Sequence, residues 1–498
     1  MTGRGGEVGY GAEIGAILNA RIAGPGHEHL MADEPVDIHI AGGRIVDIAP
    51  AGALRVDGAS VDAQGAWVVP GLWDSHVHTL QWALASERVA LHETGSAAEA
   101  AARMATAPPL ADGRRVGIGF RDALWPDDPS LEVLDAATGL TPTYLINADV
   151  HSAWLNSAAL RREGFVSPDG MLREEDAFEI SKRLGAVEPS HGDRAVRAAA
   201  ETAAARGVTG LVDFDMAWNA EAWARRVEHG FVAQRVEFAV YAADLTRAIA
   251  EGLRTGDALT GGSGLVHMGP LKVITDGSLG TRTAACSHPY PGDDADHGVL
   301  NVSPEDLVEL LTRAAGNGLE VALHAIGDRA VSAALDAVTA TGATGTVEHA
   351  QLVRHADVAR MARLGLAASI QPQHALDDRD LAGAFWAEQT ALGYPMATLL
   401  RAGIELRLGS DAPVTPLDPW CAIAAAVHRS DDGREAWHPE ERLSSDEAIR
   451  ASVRSAVRPG ERADLVICGA DPRAASESTL RRMPVIATLL GGRATYGD

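Results

Sequence analysis

From about Ala16 to Val69, apolar and polar positions alternate with a period of two, as in "VDIHIAGGRIVDIAP" and "ASVDAQGAWVVPG". Period two predicts half-buried strands, and Gly42-Gly43 between two such runs predicts a hairpin turn. The far end reads the same way in "ADLVICGADP" and "PVIATLLGGRATY". Neither end buries enough apolar surface by itself, so the two are expected to meet in one small β-sandwich. Between them, short apolar runs alternate with alanine-rich stretches of helical period. That alternation predicts a parallel sheet wrapped by helices.

Ten apolar runs are strand-like: "VVPGLWDSHVH", "VGIGF", "TYLINADVH", "TGLVDFD", "RVEFAVYA", "PLKVITDGS", "EVALHAIGD", "GTVEHAQL", "LAASIQPQH" and "IELRLGSD". "VGIGF" and "TYLINADVH" fall between Leu80 and about Ser190, among several prolines and glycines, and are assigned to an insertion. The remaining eight are the number a (β/α)8 barrel needs. The expected fold is therefore α/β: a distorted (β/α)8 TIM barrel over 70–439, an insertion over 81–190 after its first strand, and a composite sandwich of 1–69 and 440–498.

Composition narrows the function. A length of 498 residues suits one large barrel with an accessory domain. Lys and Arg number 43 against 68 Asp and Glu, a net charge of −25. Such a surface repels nucleic acid and anionic lipid, so neither is an expected partner, and it says nothing of the small-molecule substrate expected of the candidate site. The three cysteines, Cys286, Cys421 and Cys468, lie far apart without a CxxC, so no disulfide framework is expected and a reducing, cytoplasmic setting is the default. No charged start leads into a sustained apolar stretch, and no run of about 18 apolar residues occurs. Neither a signal peptide nor a membrane span is expected. The Gly-rich first dozen residues are expected to be loose.

The polar residues at the strand ends carry the chemistry. "GLWDSHVH" places His76 and His78 at i and i+2, on one face of a strand, where two imidazoles suit a metal ion. The fourth barrel run carries Lys272 and Asp276, the fifth ends in His324, the sixth in Glu348 and His349, and the eighth in Asp411. In a barrel these C-terminal ends converge on one face. Imidazole nitrogens and a carboxylate oxygen are what zinc accepts. Taken singly, a strand-end histidine usually bonds a carbonyl and an aspartate after a strand usually caps a helix; it is the coincidence at one end of the right strands that argues for a metal. His27 and His29 repeat the HxH spacing, but Gly and Pro flank them and no apolar run precedes them, so they are read as a surface loop. His151 and His374 follow strand-like runs and are candidates for a substrate pocket.

Six segments, "PGLWDSHVH", "LKVITDGSLGTRTAA", "LHAIGDRAV", "VEHAQL", "SIQPQHA" and "LGSDAPVTPLDPW", together with sandwich segments "VDIHIAGGRIVDI" and "PGERADLVICGADP", resemble the metal-dependent amidohydrolase superfamily. The likeness is to its third family, the branch that includes N-substituted formamide deformylases. It implies one or two divalent ions, zinc foremost. By position, His76 and His78 would bind the first with Asp411, and His324 and His349 the second. Lys272 would bridge both if carboxylated on its amine. A homodimer is also a family expectation. The stretch from Ile449 to Pro459 is shorter than the family's pattern, which leaves the last barrel helix unassigned.

The activity implied is hydrolysis of a non-peptide carbon–nitrogen bond. A divalent ion lowers the pKa of water it holds to about 7. Asp411 would take the proton of that water and pass it to the leaving nitrogen. Asp276 would shape the pocket or orient Lys272, and Arg282 would either meet a substrate carboxylate or, as most arginines do, lie on the surface. Deamination, lactone hydrolysis and phosphoester hydrolysis use the same metal chemistry and remain open. A scaffold without catalysis would be expected to have lost ligands, and every position is filled.

Overall fold

Eight buried, nearly continuous apolar runs pair side by side, all parallel, as strands covered on both faces must. The computed structural model describes residues 9–25, 34–53, 58–259 and 264–497. The pair His27 and His29, and the first eight residues of the Gly-rich start, lie outside the described residues. The barrel strands are Leu72–Val77, Val208–Asp213, Arg235–Tyr241, Val266–Ile274, Val321–Ala325, Gly345–His349, Ala367–Ile370 and Leu406–Leu408. Each pairs with the next in chain order. A single parallel bridge, Val77 to Ala412, closes last strand on first. The ring is a distorted (β/α)8 barrel wrapped by helices such as Pro304–Gly316, Asp328–Thr341 and His355–Leu364.

The run "VVPGLWDSHVH" is two strands rather than one. Trp67–Pro70 joins the sheet of the chain ends, and Leu72–Val77 starts the barrel. Gly71 is the hinge between them, at a place where a Cβ would lie 2.2 Å from the Thr209 hydroxyl. Only a residue without a side chain lets the chain cross there.

The two ends form one eight-stranded sheet. Leu465–Cys468 pairs antiparallel with Trp67–Pro70, and Ala16–Ile22 carries the sheet onward to Val36–Ala41 and Arg44–Pro50. Gly42 and Gly43 have φ of 57° and 75°, the positive pair a two-residue hairpin turn requires. Ile17, Ile38, Ile45, Val68, Leu465 and Ile467 share its core. The short segment near the C-terminus serves both bodies: helix Ser445–Ala451 puts Ala448 and Ile449 in the barrel core, whereas Val457 joins the sandwich core.

The inserted chain has a five-stranded sheet of its own, ordered Met171–Arg173, Ser152–Leu155, Thr143–Asn147, Arg115–Phe120 and Val89–Ala90. "VGIGF" and "TYLIN" are its central strands. The turn after Thr143–Asn147 points toward the barrel mouth.

Candidate active site

The first strand supplies Asp74, His76 and, just beyond its end, His78, all on the face that period two selects. Asp74 Oδ1 accepts from the backbone N–H groups of His76 (3.1 Å) and Ser410 (2.9 Å). The backbone N–H of Asp411 donates to His76 O at 2.8 Å, and that of His78 to Ala412 O at 2.9 Å. First strand and last turn are thereby locked together. A Cβ on Gly409 would sit 2.8 Å from the His76 nitrogen, so this seam tolerates no side chain. Asp411 has φ of 57° and His349 of 70°. Non-glycine residues in the left-handed region are costly and tend to gather at functional sites. At both positions the turn aims the side chain into the mouth.

Each central imidazole is tied through one ring nitrogen to a fixed oxygen acceptor. His76 Nδ1 donates to Glu348 Oε2 at 2.6 Å, leaving Nε2 3.5 Å from Asp411 Oδ1. His349 Nδ1 donates to Gln371 Oε1 at 2.8 Å. His324 Nε2 donates to Gly277 O at 3.2 Å. Such bonds fix ring orientation and tautomer, as outer partners of metal-binding histidines do. Ring centroids lie 4.9 Å apart for His76 and His349, and 4.5 Å for His324 and His349. Burial, followed by the nearby cationic groups, holds His76 well below 6.5; burial is also the main cause for His324 and His349. All three are neutral at pH 7, the state that ligates metal. Asp411 is held below the ordinary carboxylate value: burial pushes it up, but the His78 hydrogen bond and the charges of His78, His374 and Lys272 outweigh that.

One ligand atom from each of His76, His349 and Asp411 fits within 4.8 Å of the others, so the three can grip a single cation. This grouping takes His76 and Asp411 from one of the two sets expected from the sequence and His349 from the other, whose ring centroid lies 4.9 Å from that of His76. His78 Nε2 lies 3.3 Å from Asp411 Oδ1. Asp411 Oδ1 and His78 Nδ1 are buried without a hydrogen-bond partner. Neutral imidazoles, an ionised carboxylate and an unsatisfied oxygen suit a divalent ion. Lys272 Nζ is 3.2 Å from His76 Nε2 and 4.3 Å from the Phe214 ring centroid. Burial, opposed by Glu348 and Asp411, lowers it to about 8.

A cavity of about 180 Å³ opens over this cluster. His76, His78, Lys272, His324, His349 and Asp411 line its floor, and His151 and His374 its wall. The His151 ring stands 5.5 Å from that of His324. The His374 ring stacks 6.2 Å from that of His349, with Nε2 4.0 Å from Asp411 Oδ2. Two expected pocket residues are placed elsewhere. Asp276 is fully buried behind His324 and accepts from the backbone N–H groups of Ala285, Ile326 and Gly327. It shapes the loop and sits 3.6 Å from His324 Nε2, with no contact to Lys272. Arg282, at φ of 58°, is exposed and lies over the Phe385 ring, outside the cavity lining.

Several residues escaped the sequence reading. Asp74 lies two positions before His76, and the spacing that singled out His78 applies to it equally. Glu348 was noted at its strand end, but nothing in the pattern ties it to His76. Gln371, and Arg121, Asp122 and Asp149 of the insertion, had no signal.

Fold and mouth together define the class, a (β/α)8-barrel hydrolase with a candidate His/His/Asp metal site. The chain belongs to the amidohydrolase family, whose model matches residues 59–496. It is 28% identical to "Protein LONG AFTER FAR-RED 3" of Arabidopsis thaliana, over 92% of this chain and 88% of that one. It is 25% identical to the N-substituted formamide deformylase of Arthrobacter pascens, over 92% and 94%. An uncharacterized metal-dependent hydrolase of Pyrococcus horikoshii shares the fold, with a TM-score of 0.78, 24% identity, and coverage of 93% of this chain and 99% of that one. Among the described residues no helix is long and apolar enough to cross a membrane.

Proposed function

We propose that the protein is a zinc-dependent hydrolase of N-acyl or N-formyl amines, cytoplasmic, with Asp411 as general base and then acid. One observation carries this reading: the His76, His349 and Asp411 donor atoms lie within 4.8 Å of one another on the cavity floor. His76 and His349 through Nε2, His324 through its free Nδ1, His78 and Asp411 would hold one or two divalent ions. Lys272 would bridge them once carboxylated; an amine brought down to about 8 has a sizeable neutral, reactive fraction at neutral pH. A divalent ion in this place lowers the pKa of water and polarises a carbonyl.

The chain's own groups do the rest. Asp411 is ionised, with Oδ1 beside the His76 and His78 imidazoles at 3.5 and 3.3 Å, and can take a proton from water. The water oxygen bonds to the acyl carbon, the carbon–nitrogen bond breaks, and the proton passes to the leaving nitrogen. The products are a carboxylate and an amine. His374 Nε2, buried and without a hydrogen-bond partner, is placed to orient the substrate carbonyl. The resemblance to a formamide deformylase supports an amide substrate over a lactone or phosphoester. The cysteines are unpaired, which supports a reducing compartment.

Purified protein should carry about one to two equivalents of divalent metal. A panel of N-formyl amines, lactones and phosphoesters tests the reaction. Turnover of amides that His76→Ala abolishes supports the reading, and full activity in that variant contradicts it.

A further inference from the structure

We propose that the substrate carries a positive charge at its distal end: a mono-N-acylated diamine or similar basic amide, whose ammonium group is received by Asp122 and Asp149. This rests on the amide hydrolase reading above.

The cavity wall opposite the strand ends is acidic. Its carboxylates differ in what neutralises them. Asp377 is spent on Arg121, 2.8 Å away, and Asp380 on Arg434, 2.7 Å away. Arg121 is thereby occupied and offers little charge to a ligand. Asp122 and Asp149, by contrast, make no ion pair within 4.0 Å among the described residues; neutral donors hold them. Asp149 Oδ1 accepts from the His151 backbone N–H at 3.0 Å, and its Oδ2 from the Ser278 hydroxyl at 2.6 Å. Asp122 Oδ1 accepts from Asn147 Nδ2 at 2.8 Å. The same Asn147 takes the Asp149 backbone N–H through its own oxygen at 3.2 Å, so one amide braces both acids. Such bonds position each carboxylate without an ion pair, the Arg173 charge acting on Asp122 and that of His151 facing Asp149 only at longer range.

Burial raises the Asp122 carboxyl and Asp149 adds to the rise, opposed by a backbone hydrogen bond, the Arg173 charge and the Asn147 hydrogen bond. Backbone also presses on this wall: a Cβ on Gly280 would fall 2.7 Å from Asp149 Oδ2. A side chain there would cover the carboxylate that the cavity exposes.

The wall is within a small molecule's reach of the reacting group. Asp149 is braced by Ser278, and the adjoining Gly277 carbonyl takes His324 Nε2. A second observation points to a ligand in this cavity. His374, 6% exposed, lines it with Nε2 unpartnered. Phe178, Met216 and Leu381 also line it and suit an alkyl spacer.

The test uses two amides of equal length, mono-N-formylcadaverine, which is cationic, and N-hexylformamide, which is neutral. Hydrolysis is compared in the metal-loaded enzyme, and equilibrium binding by calorimetry in the metal-free wild-type protein, which does not turn the amides over. A hydrogen-bonded charge contact contributes enough for a preference of at least about tenfold for the cation. Asp149→Asn and, separately, Asp122→Asn should each reduce that ratio, and the wild-type comparison stands if either variant fails to fold. Hydrolysis of both amides at equal kcat/KM would overturn this inference and leave the amidase reading intact. Tighter binding of the cation without hydrolysis of either would overturn the amidase reading and uphold the cation site.

Discussion

The two walls of the cavity are built on different foundations. The inner wall stands on strand ends: His76, Lys272, His324 and His349 are spaced by the parallel ladder, and Asp74 and Asp411 lock first strand to last turn. Its groups are fixed by charged or carbonyl partners, such as Glu348 under His76. The outer wall stands on an inserted sheet and the loop after the fourth barrel strand. Asp122 and Asp149 there are fixed by amides and hydroxyls, without an ion pair among the described residues. The contrast separates two jobs. The inner wall decides which bond is broken, and the outer wall decides which molecule presents it.

Substitutions can break that division, starting from the inner wall. Asp411→Asn should lower kcat by at least about 100-fold, the scale of a lost general base, measured on any amide the enzyme turns over. A smaller loss would put the proton elsewhere. Glu348→Gln should weaken metal affinity about 10- to 100-fold in competition with a chelator, because His76 loses the partner that fixes its tautomer. Unchanged affinity would make Glu348 a packing residue only.

The outer wall can be probed through pH. Burial opposes charge on His151, yet the hydrogen bond and charge of Glu174, 2.9 Å away, outweigh it and hold His151 above 6.5. Burial likewise opposes ionised Glu174, and the His151 bond holds it below 4.5. The histidine's contribution is complete below 6.5 and is lost as pH rises through its raised value. The glutamate's is complete above 4.5 and is lost as pH falls through its depressed value. In the metal-free protein, His151→Gln should therefore cost most between pH 4.5 and 6.5, about 1–2 kcal/mol, and less on either side. Thermal melts across that range check it. The smallest effect is expected from Arg282→Ala, which lies outside the cavity: a change within about 0.5 kcal/mol in stability, or about twofold in kcat/KM.

The inner wall was largely legible in the sequence, since apolar runs mark strands and a strand's C-terminal end marks the mouth. Leu72–Val77 through Leu406–Leu408 follow the eight predicted runs in order. Periodicity did not show the break at Gly71, because the apolar text runs on from a sandwich strand into a barrel strand. Nor did it show Glu348 beneath His76, a contact made across 272 residues of chain that needs the ring to close. The outer wall was mostly illegible. Period two finds the strand Thr143–Asn147, but where the turn after it lands depends on how one sheet docks against another. Arg282 is the surface arginine its residue type usually is: it is exposed and outside the cavity lining, and no pattern of residue types reports the sign of its backbone φ of 58°.

Metal content, measured by elemental analysis after dialysis against a limiting chelator, tests the central claim most directly. Wild type and Asp149→Asn should retain about one to two equivalents of divalent ion, whereas His76→Ala and His349→Ala should each come out nearly metal-free. Equal metal content in all four proteins would contradict the claim that these strand-end groups hold the ion.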